Sequence, residues 1–214
     1  GTIAVTNIRW AANDLQTIVF DGTDREVSFD AAPTVVSGEC TVTYNAGTSL
    51  PRNVGSYVVQ VTCVNGFGSG SDNATLHIAS ADAGVVVDGV ADATYDGQPH
   101  PAVIDNPNGV AVGVVYTGTT AGGQPYGPTA IPPTDAGSYT ATVTVTDPNY
   151  SGGPYAQAIT ILPKEVTVSF ANLSQVYDGS IQSATATFSD PAAGTPVLSY
   201  VPASPINAGT YEVT

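Results

Sequence analysis

Positive charge is nearly missing from this chain: Arg9, Arg25, Arg52 and Lys164 are its only cations, set against eighteen Asp and Glu in 214 residues. The stretch from Gly84 to Pro163 has no Lys or Arg at all. A formal charge of −14 repels phosphate backbones and anionic headgroups, which excludes nucleic acid and anionic membrane surfaces as partners. No apolar run approaches the roughly 18 to 20 residues that a spanning helix needs, so membrane insertion is not expected. No basic-then-apolar leader opens the chain either, and a start at Gly1 reads as that of an excised or processed piece. Methionine is absent, tryptophan occurs once and histidine and cysteine twice each. There is no Gly-x-Ser-x-Gly elbow, no His-Glu-x-x-His and no P-loop, so no catalytic residues and no enzyme are expected. Nor does any stretch of twelve or more residues carry apolar side chains at i, i+3, i+4 and i+7, which rules out helices longer than one turn.

What the chain does have is repetition. Phe20-Asp21-Gly22, Tyr95-Asp96-Gly97 and Tyr177-Asp178-Gly179 open three stretches that close with Gly55-Ser56-Tyr57, Gly137-Ser138-Tyr139 and Gly209-Thr210-Tyr211. A period near 80 residues suits one small β-domain per repeat. Strict alternation in Tyr139-Thr140-Ala141-Thr142-Val143-Thr144-Val145 is the period-2 pattern of a half-buried strand. It recurs in Tyr57, Val59, Val61 and Cys63, in Val110 to Tyr116, and in Cys40, Val42 and Tyr44. The fold expected is all-β: tandem Ig-like antiparallel β-sandwiches in an extended array, over 1–80, 81–163 and an incomplete third unit, 164–214, that lacks its last strands.

The short motifs read as architecture. Asp-Gly after an aromatic is a tight turn, because glycine accepts positive φ and the Asp carboxylate can bond the backbone two residues on. Asp21, Gly22, Asp96, Gly97, Asp178 and Gly179 are therefore turn residues. Tyr57, Tyr139 and Tyr211 fit tyrosine corners, in which the hydroxyl ties back to an upstream backbone group. Cys40 and Cys63 fall at inward positions that the second repeat fills with Val112 and Val145, on strands expected to be neighbours. A disulfide, two buried free thiols and a metal site are the three readings, with the disulfide favoured. Tetrahedral zinc needs four ligands, and His77 and His100 belong to different repeats.

Thr94-Tyr95-Asp96-Gly97-Gln98-Pro99-His100-Pro101, Asp135-Ala136-Gly137-Ser138-Tyr139 and Asp147-Pro148-Asn149-Tyr150 resemble the bacterial MBG and YDG repeats. The resemblance covers essentially the whole chain and is strongest in the second repeat. The first departs from it with Phe20 in the triplet and Asn65-Gly66 in place of Asp-Pro-Asn-Tyr. It implies Ig-like or related β-domains arrayed in large secreted or cell-surface proteins, often adhesins, and it assigns no catalytic residues.

The function expected is that of a non-catalytic extracellular stalk or fibre, whose partners are other copies of itself or adjoining repeats of a longer chain. A partial third repeat is either a cut through a longer array or a device for polymerising by strand completion. The alternative is an adhesive module for a host protein or glycan surface, using loop aromatics Tyr126, Tyr150 and Tyr155. No cofactor is expected. Calcium, the one candidate, would use Asp82 and Asp135, but it needs six to eight oxygens and no Asp-x-Asp-x-Asp cluster occurs. Asn73, Asn149 and Asn172 each open an Asn-x-Ser/Thr acceptor pattern, read here as surface loops.

Overall fold

The computed structural model of the chain describes residues 1–11, 14–36, 38–87 and 92–214. The first repeat contains β1 (Ala4–Trp10), β2 (Thr17–Val19), β3 (Val27–Ala32), β4 (Cys40–Tyr44), β5 (Gly55–Asn65) and β6 (Gly68–Ala79). Alternation sets the burial of β5: Val59, Val61 and Cys63 are fully enclosed, whereas Val58, Gln60 and Thr62 face out. That strand pairs antiparallel with β4 on one side and β6 on the other, and β2 runs parallel along the far edge of β6. A second layer, β1 against β3, brings Val5, Ile8 and Trp10 onto Val59, Val61 and Leu76 in one core. The unit is a sandwich because each layer has one apolar face and the two faces cover each other.

After a two-residue strand, β7 (Ala81–Asp82), the second repeat follows the same plan. Its strands are β8 (Val86–Val87), β9 (Ala93–Thr94), β10 (Ile104–Asp105), β11 (Val112–Thr120), β12 (Pro125–Thr129), β13 (Gly137–Val145), β14 (Tyr150–Ser151) and β15 (Tyr155–Leu162). The main sheet has the order β12-β11-β13-β15-β9, with β9 parallel to β15 as β2 is to β6. β8 and β10 form the second layer. Among the described residues β12 has no counterpart in the first repeat, where a tight Tyr44–Gly47 bridge closes the same turn.

One side chain of this core disobeys its pattern. Gln157 faces inward on β15 at 4% exposure, and neither its Oε1 nor its Nε2 has a hydrogen-bond partner in the protein. Because Tyr57 pairs with Leu76 and Tyr139 with Ile159, the first-repeat counterpart of Gln157 is Ala74. A buried amide without partners costs about 1–3 kcal/mol. Gln157→Met keeps the volume and removes the polar atoms, so it should stabilise the second repeat by about 1 kcal/mol or more, read as a higher unfolding temperature in calorimetry.

The third repeat contains β16 (Val168–Ala171) against β17 (Thr185–Phe188) and β18 (Tyr200–Val201) against β19 (Glu212–Val213), with one 3-10 turn at Pro191–Ala193. That turn is the only helical element among the described residues. Gln175–Val176, which precede the triplet as β2 and β9 do, form no strand. The reason is pairing: β2 joins only β6 and β9 joins only β15, and among the described residues the third repeat has no strand in that place.

Candidate functional site

The most repeated construction in the chain is a corner at one end of each repeat. In each triplet the glycine has a left-handed backbone, with φ of +75° at Gly22, +77° at Gly97 and +84° at Gly179. The Asp carboxylate accepts the backbone N–H two residues on, from Thr23 at 3.0 Å, Gln98 at 2.8 Å and Ser180 at 2.8 Å. The residue four after the Asp closes the turn from outside: Arg25 forms an ion pair with Asp21, His100 Nε2 lies 3.2 Å from Asp96, and Gln182 Nε2 donates to Asp178 at 2.6 Å. The backbone N–H of that same residue donates to a buried proline carbonyl: Pro51 at 2.8 Å, Pro133 at 2.9 Å and Pro205 at 3.0 Å. Six residues after each proline stands the closing tyrosine. Its hydroxyl donates to the carbonyl four residues upstream: Tyr57 to Asn53 at 2.6 Å, Tyr139 to Asp135 at 2.8 Å and Tyr211 to Asn207 at 3.0 Å. The two motifs are thus one knot, tied through the proline. Gly137 belongs to it for steric reasons, since a Cβ there would lie 2.7 Å from the Tyr139 hydroxyl.

Charge is drawn into the knot. The Thr23 hydroxyl and N–H, then Arg25, hold the Asp21 carboxyl below its usual range; the Gln98 N–H, then His100, do so for Asp96; the Ser180 N–H and hydroxyl, then Gln182, do so for Asp178. A carboxyl with a lowered folded pKa stabilises the fold above its unfolded value, near 3.9, and that contribution disappears as pH falls through the folded value. The unfolding temperature should therefore hold level from neutrality to about pH 5 and fall steeply below about pH 4. Asp96→Asn, which keeps an acceptor for Gln98, should flatten that acid slope for the second repeat in a calorimetric pH series. Burial, then Asp135 and Tyr126, push the Tyr139 hydroxyl up, which keeps it a donor.

A second tyrosine anchor went unread in the sequence. The Tyr116 hydroxyl accepts the N–H of Ala102 at 3.1 Å and that of Tyr200 accepts the N–H of Ala184 at 2.9 Å. Tyr44 stands at the corresponding place in the first repeat and is buried. The signal was available as a tyrosine recurring 20 to 23 residues after each triplet Asp.

Cys40 and Cys63 are opposite each other on β4 and β5 and joined by a disulfide, with Cα atoms 4.0 Å apart. The neighbouring Val64 N–H donates to Glu39 O, which puts the cysteines at a non-hydrogen-bonded site, where cross-strand side chains approach most closely. Val112 and Val145 are paired at the same place in the second repeat.

The three aromatics expected on loops are instead on strands and half-buried. Tyr126, on β12, packs edge-on against Tyr139 with centroids 5.2 Å apart and donates its hydroxyl to Ile131 O at 2.9 Å. Tyr155 opens β15 against the core of Val85, Val110 and Val143. Tyr150 lies at the joint between repeats, where its ring meets Phe20 at 5.5 Å. Tyr150 and Tyr155 pack against this Val85 core, and Tyr126 against the other core of the second repeat. Beside Tyr150, Asn149 Oδ1 accepts the N–H of Val54 at 2.9 Å, and β14 pairs parallel with β7. Asn149 is thus a joint residue, unlike the exposed Asn73 and Asn172.

The next joint uses the same face of the second repeat. Tyr95 and Ala136, counterparts of Phe20 and Val54, share a cleft of about 280 Å³ with Pro163, Val166 and Ala192, and Lys164 Nζ donates to Asp190 across it at 2.7 Å. Of the candidate calcium residues, Asp82 accepts the N–H of Gly84 at 3.0 Å and Asp135 gives its carbonyl to Tyr139. No cluster of three or more His, Cys, Asp or Glu forms among the described residues. No helix among them is long and apolar enough to cross a membrane.

A comparison with curated proteins gives no match. The sequence model of the MBG domain matches three consecutive stretches, residues 12–82, 83–161 and 166–214. Each stretch carries the triplet, the proline and the closing tyrosine of one knot, and the chain belongs to the MBG domain family as a tandem array of three repeats.

Proposed function

We propose that this chain is a spacer: a non-catalytic, extracellular run of MBG repeats that extends a stalk or fibre, with adjoining repeats as its partners. The observation that carries this reading is the reuse of one face. The knot end of the first repeat receives Asn149 and Tyr150 of the second, and the knot end of the second receives Lys164 and the Asp190–Ala193 turn of the third. A contact between unlike ends of successive units repeats without closing, so each added repeat adds length. The family is a structural, repeat-type module, in keeping with a spacer. The Cys40–Cys63 disulfide suits an oxidising compartment, and the acidic, cation-poor surface discourages like arrays from coalescing.

Small-angle scattering of the 214-residue chain tests the proposal. An elongated particle is expected, with a radius of gyration well above that of a compact globule. A value near about 17 Å, which a globule of this length would give, sinks it.

A further inference from the structure

We propose that Asn65 is a site of spontaneous deamidation, and that its product loosens one end of the first repeat. The chain has two Asn-Gly pairs, Asn65-Gly66 and Asn108-Gly109. Deamidation begins when the backbone nitrogen of the next residue attacks the side-chain amide carbon, so it needs a free N–H and an open approach. Glycine leaves the approach open because it has no Cβ. In the β5–β6 hairpin Gly66 and Phe67 are exposed, and the Gly66 N–H has no hydrogen-bond partner among the described residues. The Asn65 carboxamide is folded over this peptide bond, since its Oδ1 accepts the Phe67 N–H at 2.9 Å. Asn108 has the opposite setting. There the Gly109 N–H donates to Asn106 O at 3.1 Å, and Asn108 Nδ2 donates to Ala83 O at 3.1 Å. At Asn65 the bond that forms joins Gly66 N to Cγ and the bond that breaks is Cγ–Nδ2. Ammonia leaves with the proton that Gly66 N gives up. Water then opens the cyclic imide on one side or the other, giving aspartate or, through the side chain, isoaspartate.

The second repeat shows why the change matters in the first. Asp147 stands at the same place, its Oδ1 accepting the Asn149 N–H at 2.8 Å as Asn65 accepts that of Phe67. The residue after it is Pro148, which has no N–H and cannot close such a ring. Val64 N–H donates to Glu39 O and Thr146 N–H to Ala111 O, both at 2.9 Å, so Glu39 and Ala111 are counterparts. The second repeat thus has its acid where the opposing strand offers alanine. In the first repeat Asn65 Nδ2 donates to Glu39 Oε2 at 3.2 Å, and the same oxygen accepts the Val36 N–H at 2.8 Å. Deamidation removes the Nδ2 donor and sets two carboxylates against each other at the adjoining ends of β4 and β5, where like charges destabilise the pair. Isoaspartate also lengthens the backbone at the turn.

The test ages the chain Gly1–Thr214 at neutral pH and maps its peptides by mass spectrometry, with isoaspartate counted by enzymatic methylation. Conversion at Asn65 is expected to outpace that at Asn108 by about tenfold or more. Gly66→Ala, whose Cβ meets nothing within 4 Å, should slow conversion by about tenfold and leave the hairpin intact. Asn65→Asp, which is the product in its aspartate form, should lower the first-repeat transition by several degrees at neutral pH, read through Trp10 emission. The deficit should shrink in acid, as the facing carboxylates protonate, and Glu39→Gln in the same chain should recover most of it. Equal conversion at the two Asn-Gly pairs, or none at Asn65 while a free peptide of the same sequence converts, would overturn the site. A transition that Asn65→Asp does not move, or that Glu39→Gln does not restore, would overturn its effect on the fold.

Discussion

Replacing Cys40 and Cys63 together by valine should lower the unfolding temperature of the first repeat by roughly 10–25 °C and that of the second repeat by a few degrees at most. The bridge closes a separation of 23 residues, and constraining such a loop in the unfolded chain contributes about 3 kcal/mol. In a domain of this size each kcal/mol moves the transition by about 4–8 °C. Valine is the informative substitute because the second repeat has Val112 and Val145 at the same register, so the strand pair accommodates two valines without a hole. What is lost is then the crosslink and not the packing. Trp10 lies in the first repeat and is the only tryptophan, so its emission follows this transition alone. A shift below about 3 °C would mean that the strand pair, not the crosslink, holds β4 to β5.

The strands were legible because a two-layer sheet imposes a period of two on its sequence, and β5 and β13 keep it without interruption over Tyr57–Cys63 and Tyr139–Val145. The turn triplets and closing tyrosines were legible for a related reason: a positive φ selects glycine, and a hydroxyl that reaches back four residues selects tyrosine. The link between them was not. Arg25, His100 and Gln182 do one job with three different side chains, so their equivalence appears only once the Asp carboxylate is seen to be the common partner. Tyr126, Tyr150 and Tyr155 were misplaced because flanking Gly and Pro suggest loops, whereas β12 and β14 are short strands among such residues and Tyr155 is the first residue of the longer β15. Gln157 and Trp10 keep the inward phase of their strands, Gln157 with Ile159 and Ile161 and Trp10 with Ile8, but Gln157 breaks the apolar pattern with a polar side chain and Trp10 stands between Arg9 and a short polar stretch, so neither was marked as core.

Trp10→Ala should cost the first repeat about 3–5 kcal/mol, the largest single-residue loss expected in this chain. Trp10 is fully buried at the end of β1, where its ring meets Tyr57 edge-on at 6.4 Å, and its Nε1 donates to His77 O at 3.0 Å. It therefore ties the two-stranded layer to β6 by a hydrogen bond as well as by packing. Alanine opens a cavity and also leaves the carbonyl of His77 without this donor, and the two losses add. Small domains have only about 5–15 kcal/mol in total, so the variant should be partly unfolded near 37 °C. Trp10→Phe, which keeps most of the ring and loses only the donor, should cost about 1–3 kcal/mol, and calorimetry separates the two. The second transition is the more telling readout. Phe20 against Tyr150 and Val54 N–H on Asn149 cross the joint, so an unfolded first repeat withdraws support from the second. A fall of a few degrees in the second transition would make stability a property of neighbouring repeats. An unmoved second transition would reduce the joint to a hinge between independent units, and a stalk built on such joints would bend.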